Sequence, residues 1–196
     1  MRVVFGIGNP GPEYERTRHN VGFRVVDRLA TAARARWGSI AGLHAEGTRA
    51  RVEGREALLV KPLAYVNRCG PVLAALRARE GLALPDLLAV VDDFALPLGR
   101  LRLRASGSAG GHNGLASLID ALQSEEFPRL RVGIGDPGGA PAERYVLEPF
   151  RPEEVAEVER AVLRAAEAVG AWLRLGLERA MAGVNRRDLD PGEPPA

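Results

Sequence analysis

The amino-acid sequence predicts an α/β protein with a single domain, a three-layer αβα arrangement in which a twisted mixed β-sheet lies between helices. Short apolar runs typical of buried strands alternate with segments whose apolar residues recur at helical spacing. Two strand-like runs are separated only by Glu53-Gly54, which indicates one antiparallel hairpin. The 196 residues suffice for one domain with a sizeable core, and no segment has the composition of an interdomain linker.

The predicted elements of the N-terminal half begin with a buried strand over residues 3–7, which is closed by glycines. A helix is expected over about 22–36, because apolar residues recur there at helical spacing. The two strands of the hairpin cover 45–52 and 56–61. Another helix covers 71–81, because proline suits the first turn of a helix and glycine suits the position after its last turn.

The second half continues the same alternation of strands and helices. An apolar strand over 87–91 ends in two aspartates, and a strand over 100–104 alternates arginine with leucine, so its arginines share one face. A loop rich in glycine and serine leads into a helix whose leucines and isoleucine lie within 115–122. A last strand covers 130–134, and its exit, GIGDPG, resembles the exit GIGNPG of the first strand.

The strongest helix signal begins at Pro152, which is followed by two glutamates at the positive end of the helix dipole. Five apolar residues are expected on one face of this helix: Val155, Val158, Val162, Val169 and Leu173. We expect the folded domain to cover 1–186. Residues 187–196 are expected to form a flexible tail, because a segment such as DLDPGEPPA cannot pack into a core.

The glycines at positions 6, 8 and 11 spell G-x-G-x-x-G, a motif of dinucleotide-binding proteins. In those proteins a helix begins within the glycine turn, and its first N–H groups hold the pyrophosphate. Pro10 and Pro12 exclude a helix there and remove two N–H donors. The sequence therefore argues against a nucleotide-dependent oxidoreductase. It indicates instead a stiff turn that fixes the side chain of Asn9 where ligands bind in open α/β sheets.

Few residues are suited to binding a metal. Cys69 is the only cysteine, which excludes an internal disulfide and a cysteine-rich metal site. The three histidines, His19, His44 and His112, show no H-x-x-x-H spacing. We therefore expect no zinc site.

Charge and hydropathy limit the partners and the location of the chain. The net charge is only +2, and no apolar run approaches the roughly 18 residues of a membrane-spanning helix. Because the N-terminal segment lacks the features of an export signal, we expect a cytoplasmic protein with no membrane partner. Lys61 is the only lysine, and all other basic residues are arginines, which suit phosphate. A compositional bias of the genome explains this preference better, so charge alone does not predict a nucleic-acid partner.

Five blocks of sequence resemble, in order and spacing, those of the bacterial peptidyl-tRNA hydrolases. The blocks are GIGNPGPEYERTRHNVGF, KPLAYVNRCG, VVDDFALPLGRLRLR, GSAGGHNGL and RLRVGIGDPG. Together they span most of the chain, which makes them far more specific than any single block. The resemblance implies an enzyme without metal or cofactor that hydrolyses the ester between a peptide, or an N-blocked amino acid, and the 3′ end of tRNA.

The residues of the first and third blocks meet the needs of ester hydrolysis. Such a reaction requires a water, a base that takes its proton, and donors for the developing oxyanion. His19 is the candidate base, since imidazole titrates near neutral pH. Asp92 is its candidate partner, as in a catalytic triad with water in place of serine. Asp93 remains an alternative partner, and His112 is interpreted as a loop residue or gate, with His19 favoured over it as the catalytic histidine.

The resemblance also implies which residues bind the substrate. Asn9 contacts the peptide side and distinguishes blocked from free aminoacyl-tRNA. Asn67 and Asn113 bind the terminal portion of the substrate, because an amide offers two donors and an acceptor without a competing charge. Tyr14 and Tyr65 resemble aromatic residues that meet the tRNA end, where stacking on a base requires little sequence specificity.

Two arginines match positions that the family uses for the 5′ phosphate of tRNA. They are Arg104, at the end of the alternating strand, and Arg131, in the strand that follows the next helix. For Arg100 and Arg102 we favour a solvated strand face. The expected partner is therefore tRNA, and the chain is expected to act as a monomer without a protein partner.

An alternative function is non-catalytic RNA binding, since some organellar splicing factors resemble this family. The joint presence of His19, Asp92, Asn9 and Asn67 argues against it. Binding alone needs neither a base nor a carboxylate that supports the base.

Overall fold

A mixed β-sheet of seven strands forms the centre of the fold in the computed structural model, which describes residues 1–187. In chain order the strands are β1 (Arg2–Gly6), β2 (Gly38–Ser39), β3 (Ala45–Val52), β4 (Arg55–Pro62), β5 (Leu87–Asp93), β6 (Leu101–Arg104) and β7 (Arg129–Gly133). Their order across the sheet is β2-β3-β4-β1-β5-β7-β6. β4, β1, β5 and β7 are parallel, whereas β3 and β6 run antiparallel to β4 and β7. The predicted mixed sheet and its hairpin, β3–β4, are confirmed.

Helices cover both faces of the sheet and complete the predicted α/β architecture. They are α1 (Val21–Ala32), α2 (Gly70–Glu80), α3 (Asn113–Leu122), α4 (Ala142–Tyr145), α5 (Pro152–Leu175) and α6 (Leu177–Arg187). One apolar core joins α1, α5 and α6 to one face of the sheet, and a second core joins α2 and α3 to the other. Residues 188–196, nearly all of the predicted tail, lie outside the described residues, and the domain boundary at 186 stays a prediction.

The helices differ from the predicted ones at their ends. α1 stops at Ala32, before the expected end at 36, because Arg34 adopts a left-handed backbone with φ of 53°. Val155, at the start of the predicted apolar face of α5, is 44% exposed, whereas Val158, Val162, Val169 and Leu173 are buried. Gly176, with φ of 85°, ends α5, and the chain then forms α6, which the sequence did not predict.

The carboxyl ends of β1 and β5 bring the candidate residues together. α1 begins at Val21 and not within the glycine turn, as the prolines predicted. The start of α1 packs closely on both strands because Gly22 has no side chain. A β-carbon there would lie 2.4 Å from the carbonyl oxygen of Val90 and 2.5 Å from that of Ile7. The residues just before α1 are thereby held next to the end of β5.

The outer strand β6 is bordered by α6. The side chain of Asn185 accepts a hydrogen bond from the Leu103 N–H and donates one to the Leu103 carbonyl, each at 3.0 Å. This amide thus takes the place of a neighbouring strand at one position of β6.

Candidate active site

His19 and Asp92, the predicted base and its partner, are in direct contact. His19 lies in a single 3₁₀ turn just before α1, and its main-chain N–H donates to the Val146 carbonyl at 2.8 Å. The Nδ1 of His19 is 2.8 Å from Oδ1 of Asp92, near the end of β5. Because a carboxylate only accepts, Nδ1 carries the proton and Nε2 is left as the basic nitrogen. The contact fixes the tautomer that a general base needs.

Asp92 is almost completely buried and is held as a carboxylate. Burial alone would raise its pKa, but the nearby imidazoles of His112 and His19 and their hydrogen bonds outweigh this effect. The pKa of Asp92 therefore lies well below its usual range. The side chain stays negatively charged at neutral pH and can stabilise a positive charge on His19.

His112, interpreted as a loop residue or gate, lies in the loop just before α3 and also contacts Asp92. Its Nε2 donates to the same Oδ1 of Asp92 at 2.9 Å. Its Nδ1 accepts from the N–H groups of Gly114 and Leu115, at 3.0 and 3.2 Å, and so caps the start of α3. With one ring nitrogen accepting and the other donating, His112 is held in one neutral tautomer. The only signal in the sequence was its position just before a predicted helix.

Asp93 points away from the two histidines, because successive residues of a strand face opposite sides of the sheet. Its Oδ1 accepts from the N–H of Ala95 at 2.9 Å, and its Oδ2 is 3.0 Å from Nε of Arg131. Of the two aspartates that the sequence left open, Asp92 is therefore the one that contacts His19.

Asn9 is fixed by contacts on both its main chain and its side chain. Its N–H donates to Oδ1 of Asn20 at 2.8 Å, and its carbonyl accepts from Nδ2 of Asn20 at 2.9 Å. Its own Oδ1 accepts from the N–H of Val66 at 2.9 Å. The orientation of the Asn9 amide is thus set, and within residues 1–187 its Nδ2 donates to no protein group. The stiff turn thus fixes the side chain of Asn9, and its contact with a ligand stays a prediction.

The other predicted substrate-binding residues include Asn67 and Asn113, which are next in sequence to residues that contact Asn9 and Asp92. Asn67 is exposed and follows Val66, which binds Asn9, and Asn113 is exposed and follows His112. The rings of Tyr14 and Tyr65 meet edge to face, with centroids 6.1 Å apart. Tyr65 is 51% exposed, which leaves one of its faces open to solvent or a ligand.

Arginines line one face of the β6–β7 ladder. Arg102 pairs with Arg131, and Arg104 pairs with Arg129, and directly opposite residues point to the same side. Arg129 is buried and donates to the carbonyls of Gly107, Ser108, Glu125 and Phe127, so it holds the loop before α3. Arg102 and Arg104 are exposed, and Arg131 is held by Asp93. A positive surface therefore lies beside the end of β5.

Within residues 1–187, one group of three side chains could bind a metal ion. The ligand atoms of His19, Asp92 and His112 all lie within 4.8 Å of one another. Spacing in the sequence gave no sign of this group. In this arrangement both histidines donate protons to the carboxylate, and a metal would have to displace them. The absence of a metal from the reaction stays a prediction.

A groove of about 950 Å³ lies beside the cluster. It runs between α1 and the start of α5, and Asn9 and Asn20 form part of its wall. His19, Asp92 and His112 do not line it. Among residues 1–187, no helix is both long and apolar enough to cross a membrane.

Comparison with known proteins identifies relatives over nearly the full chain. A family model described as peptidyl-tRNA hydrolase matches residues 3–192. A peptidyl-tRNA hydrolase of Aquifex aeolicus is 41% identical, with 96% of this chain and 98% of the relative covered. One of Geobacillus kaustophilus is 47% identical, with 86% and 90% covered.

Solved structures agree with the sequence relatives. The crystal structure of peptidyl-tRNA hydrolase from Acinetobacter baumannii has a TM-score of 0.87 at 31% identity, with 94% of each chain covered. Its Arg119Gln mutant has a TM-score of 0.89, again with 94% of each chain covered. Sequence and fold thus agree over the same residues that carry the histidine–aspartate cluster, and the chain belongs to the peptidyl-tRNA hydrolase family of hydrolases.

Proposed function

We propose that the chain hydrolyses the ester between a peptide, or an N-blocked amino acid, and the 3′ end of tRNA, with His19 as the general base. The contact between His19 Nδ1 and the buried carboxylate of Asp92, at 2.8 Å, carries this proposal. It orients the imidazole and, in the neutral ring, places the basic nitrogen at Nε2. A non-catalytic RNA-binding protein would have no use for such a pair.

In the first step, Nε2 of His19 takes a proton from water while the water oxygen bonds to the ester carbonyl carbon. The resulting imidazolium is stabilised by the negative charge of Asp92. In the second step the tetrahedral intermediate collapses, and the bond to the 3′ oxygen of the tRNA breaks. The imidazolium returns its proton to that oxygen, so the products are a free carboxylic acid and tRNA.

The amides around the cluster bind the substrate in this proposal. Asn9 offers its Nδ2 to the peptide side, because its Oδ1 is already occupied by the Val66 N–H. Asn67 and Asn113 donate to the ester carbonyl or hold the attacking water. Tyr14 and Tyr65 stack on the terminal base, to which an exposed aromatic face is suited.

The arginine face of β6 and β7 binds the tRNA backbone. Arg104 is exposed, and Arg131 is oriented by Asp93, so both can reach a phosphate while the ester lies at His19. The substrate then spans two sites, one for the ester and one for a phosphate. We further propose that the chain acts as a cytoplasmic monomer, without a cofactor or a protein partner.

Release of N-acetyl amino acid from N-acetyl-aminoacyl-tRNA tests the function. The wild-type chain should cleave this substrate and leave unblocked aminoacyl-tRNA intact. His19→Ala should abolish cleavage but retain tRNA binding, measured by filter binding. Full cleavage by His19→Ala would exclude His19 as the base, and no cleavage by the wild-type chain would exclude the function.

A further inference from the structure

Arg18, the residue next to the candidate base, has a buried guanidinium with several partners. Its Nη1 donates to the carbonyls of Pro149 and Glu148, at 2.7 and 3.3 Å, and its Nη2 donates to Oε2 of Glu154 at 2.9 Å. The guanidinium also lies 4.2 Å from the ring centroid of Tyr145. An arginine that is only 2% exposed is rare in a protein and needs such a set of partners.

Arg18 attaches the turn of His19 to a distant segment of the chain. The main-chain N–H of Arg18 donates to the Glu148 carbonyl at 3.1 Å, and that of His19 donates to the Val146 carbonyl at 2.8 Å. A three-residue 3₁₀ turn has little stability of its own. The position of the His19 ring therefore depends on segment 146–154, to which the Arg18 side chain is anchored.

Glu154 has two roles at the other end of this contact. Its carboxylate accepts from the N–H of Arg151 at 2.7 Å and from Nη2 of Arg151 at 2.9 Å, which caps the start of α5. Burial would raise its pKa, but the hydrogen bonds from Arg151 and the charges of Arg18 and Arg151 lower the pKa below its ordinary value. The pair with Arg18 is thus ionised on both sides.

We propose that Arg18 and Glu154 form a positioning pair for the base. By attaching the turn of His19 to the start of α5, the pair holds the His19 ring against Asp92. The inference rests on the proposed function and adds residues that touch neither the substrate nor Asp92. Loss of this pair should displace the base from its water. A general base works only within hydrogen-bonding reach of its water, and a shift of about 1 Å can lower the rate up to roughly 100-fold.

The test compares Arg18→Met, Glu154→Gln and the double variant. Each single variant leaves a buried group without its partner and should lower both Tm and kcat. The double variant leaves no unpaired buried charge, so its Tm should recover much of the loss. Its kcat should stay roughly 10- to 100-fold below wild type, with KM within about twofold, because His19 still lacks its anchor. Recovery of kcat together with Tm would show a merely structural role and overturn the proposal.

A matched control uses Arg24, which joins α1 to α5 through Glu159, at 2.7 Å, but does not contact the turn of His19. Arg24→Gln should keep the wild-type kcat. If Arg18→Met does not fold, Arg18→Lys keeps the charge but loses the fork that reaches both the carbonyls and Glu154, and its kcat should still fall. A wild-type kcat for Arg18→Lys would also overturn the proposal.

Nuclear magnetic resonance provides a readout that stability does not affect. The proton shared by His19 Nδ1 and Asp92 should give a downfield signal in the wild-type chain and in Arg24→Gln, and a weakened one in Arg18→Lys. An unchanged signal in Arg18→Lys would contradict the inference. Failure of the wild-type chain to cleave would refute the proposed function, whereas normal cleavage by folded Arg18 variants would refute only the positioning pair.

Discussion

At the scale of single residues, two histidines share one oxygen of Asp92 but are held in different ways. His19 uses its Nδ1 for this contact, whereas His112 uses its Nε2 and accepts two main-chain N–H groups at Nδ1. Both ring nitrogens of His112 are therefore occupied. Only His19 retains a basic nitrogen, and His112 serves to hold Asp92 and the start of α3.

Asp92→Asn should lower kcat by roughly 10²- to 10⁴-fold, the usual contribution of organised general-base catalysis. The carboxamide carries no charge to stabilise the imidazolium, and it can favour the wrong tautomer of His19. Single-turnover hydrolysis of N-acetyl-aminoacyl-tRNA measures this loss. Asp93→Asn is the matched control, since Asp93 contacts Arg131 instead. An equal loss in both variants would contradict the assignment of Asp92.

Variants of His112 separate its two contacts. His112→Asn should keep the cap of α3, because asparagine is a favourable N-cap, but its shorter side chain loses Asp92. His112→Ala loses both contacts and should be about 1 kcal/mol less stable than His112→Asn, as measured by urea unfolding. Both variants should show a reduced kcat. A fully active His112→Asn would mean that the contact with Asp92 does not matter for the reaction.

At the scale of elements, the sequence predicted those strands and helices that have a regular apolar pattern or clear signals at their ends. The strands β1, β3, β4, β5 and β7 and the helices α2 and α3 were found near their expected places. The two-residue strand β2 and the single turn α4 were not predicted, because contacts with the rest of the fold stabilise them. The helix α6 was also missed, although Leu177, Ala180, Met181 and Val184 recur in it at helical spacing.

The same limit applies to the candidate site. His19 and Asp92 were found from sequence motifs, but the choice between Asp92 and Asp93 depends on which face of β5 meets the start of α1. The role of His112 depends on how close the loop before α3 lies to the end of β5. Such relations depend on the packing of elements that are distant in the sequence, so a local sequence pattern does not reveal them.

Arg104→Gln tests the arginine face formed by β6 and β7. If Arg104 binds a phosphate, tRNA affinity should fall uniformly across tRNA sequences, and the slope of log Kd against log salt concentration should decrease by about one. Arg102→Gln, on the same strand and equally exposed, should have a much smaller effect. Fluorescence anisotropy at several salt concentrations measures both slopes. Equal slopes for the two variants would assign the whole face, and not Arg104 in particular, to tRNA binding.

At the scale of the whole molecule, buried carboxylates connect the active site to the stability of the fold. Asp92 and Glu154 each have a pKa held below the usual value, despite burial, by histidine and arginine partners respectively. A carboxylate with a lowered folded-state pKa stabilises the fold above its unfolded-state pKa, and this contribution is lost as pH falls. The protein should therefore be most sensitive to acid through the residues that build its site.

The urea midpoint of the wild-type chain should accordingly fall as the pH is lowered from about 6 to about 3, through the ordinary range of unfolded carboxyl groups. Asp92→Asn should show a shallower fall, because asparagine does not titrate. Circular dichroism at each pH measures both curves. Parallel curves would mean that Asp92 contributes little to the acid sensitivity.

The amide of Asn185 has a consequence beyond the single molecule. An outer strand with free N–H and carbonyl groups is a template on which a second chain can extend the sheet, and repetition of that step leads to aggregates. Asn185 occupies the N–H and the carbonyl of Leu103 in the four-residue strand β6, and the opposite outer strand, β2, has only two residues. Within residues 1–187, the β6 side of the sheet thus offers no long free ladder, which hinders copies of the protein from joining edge to edge along β6.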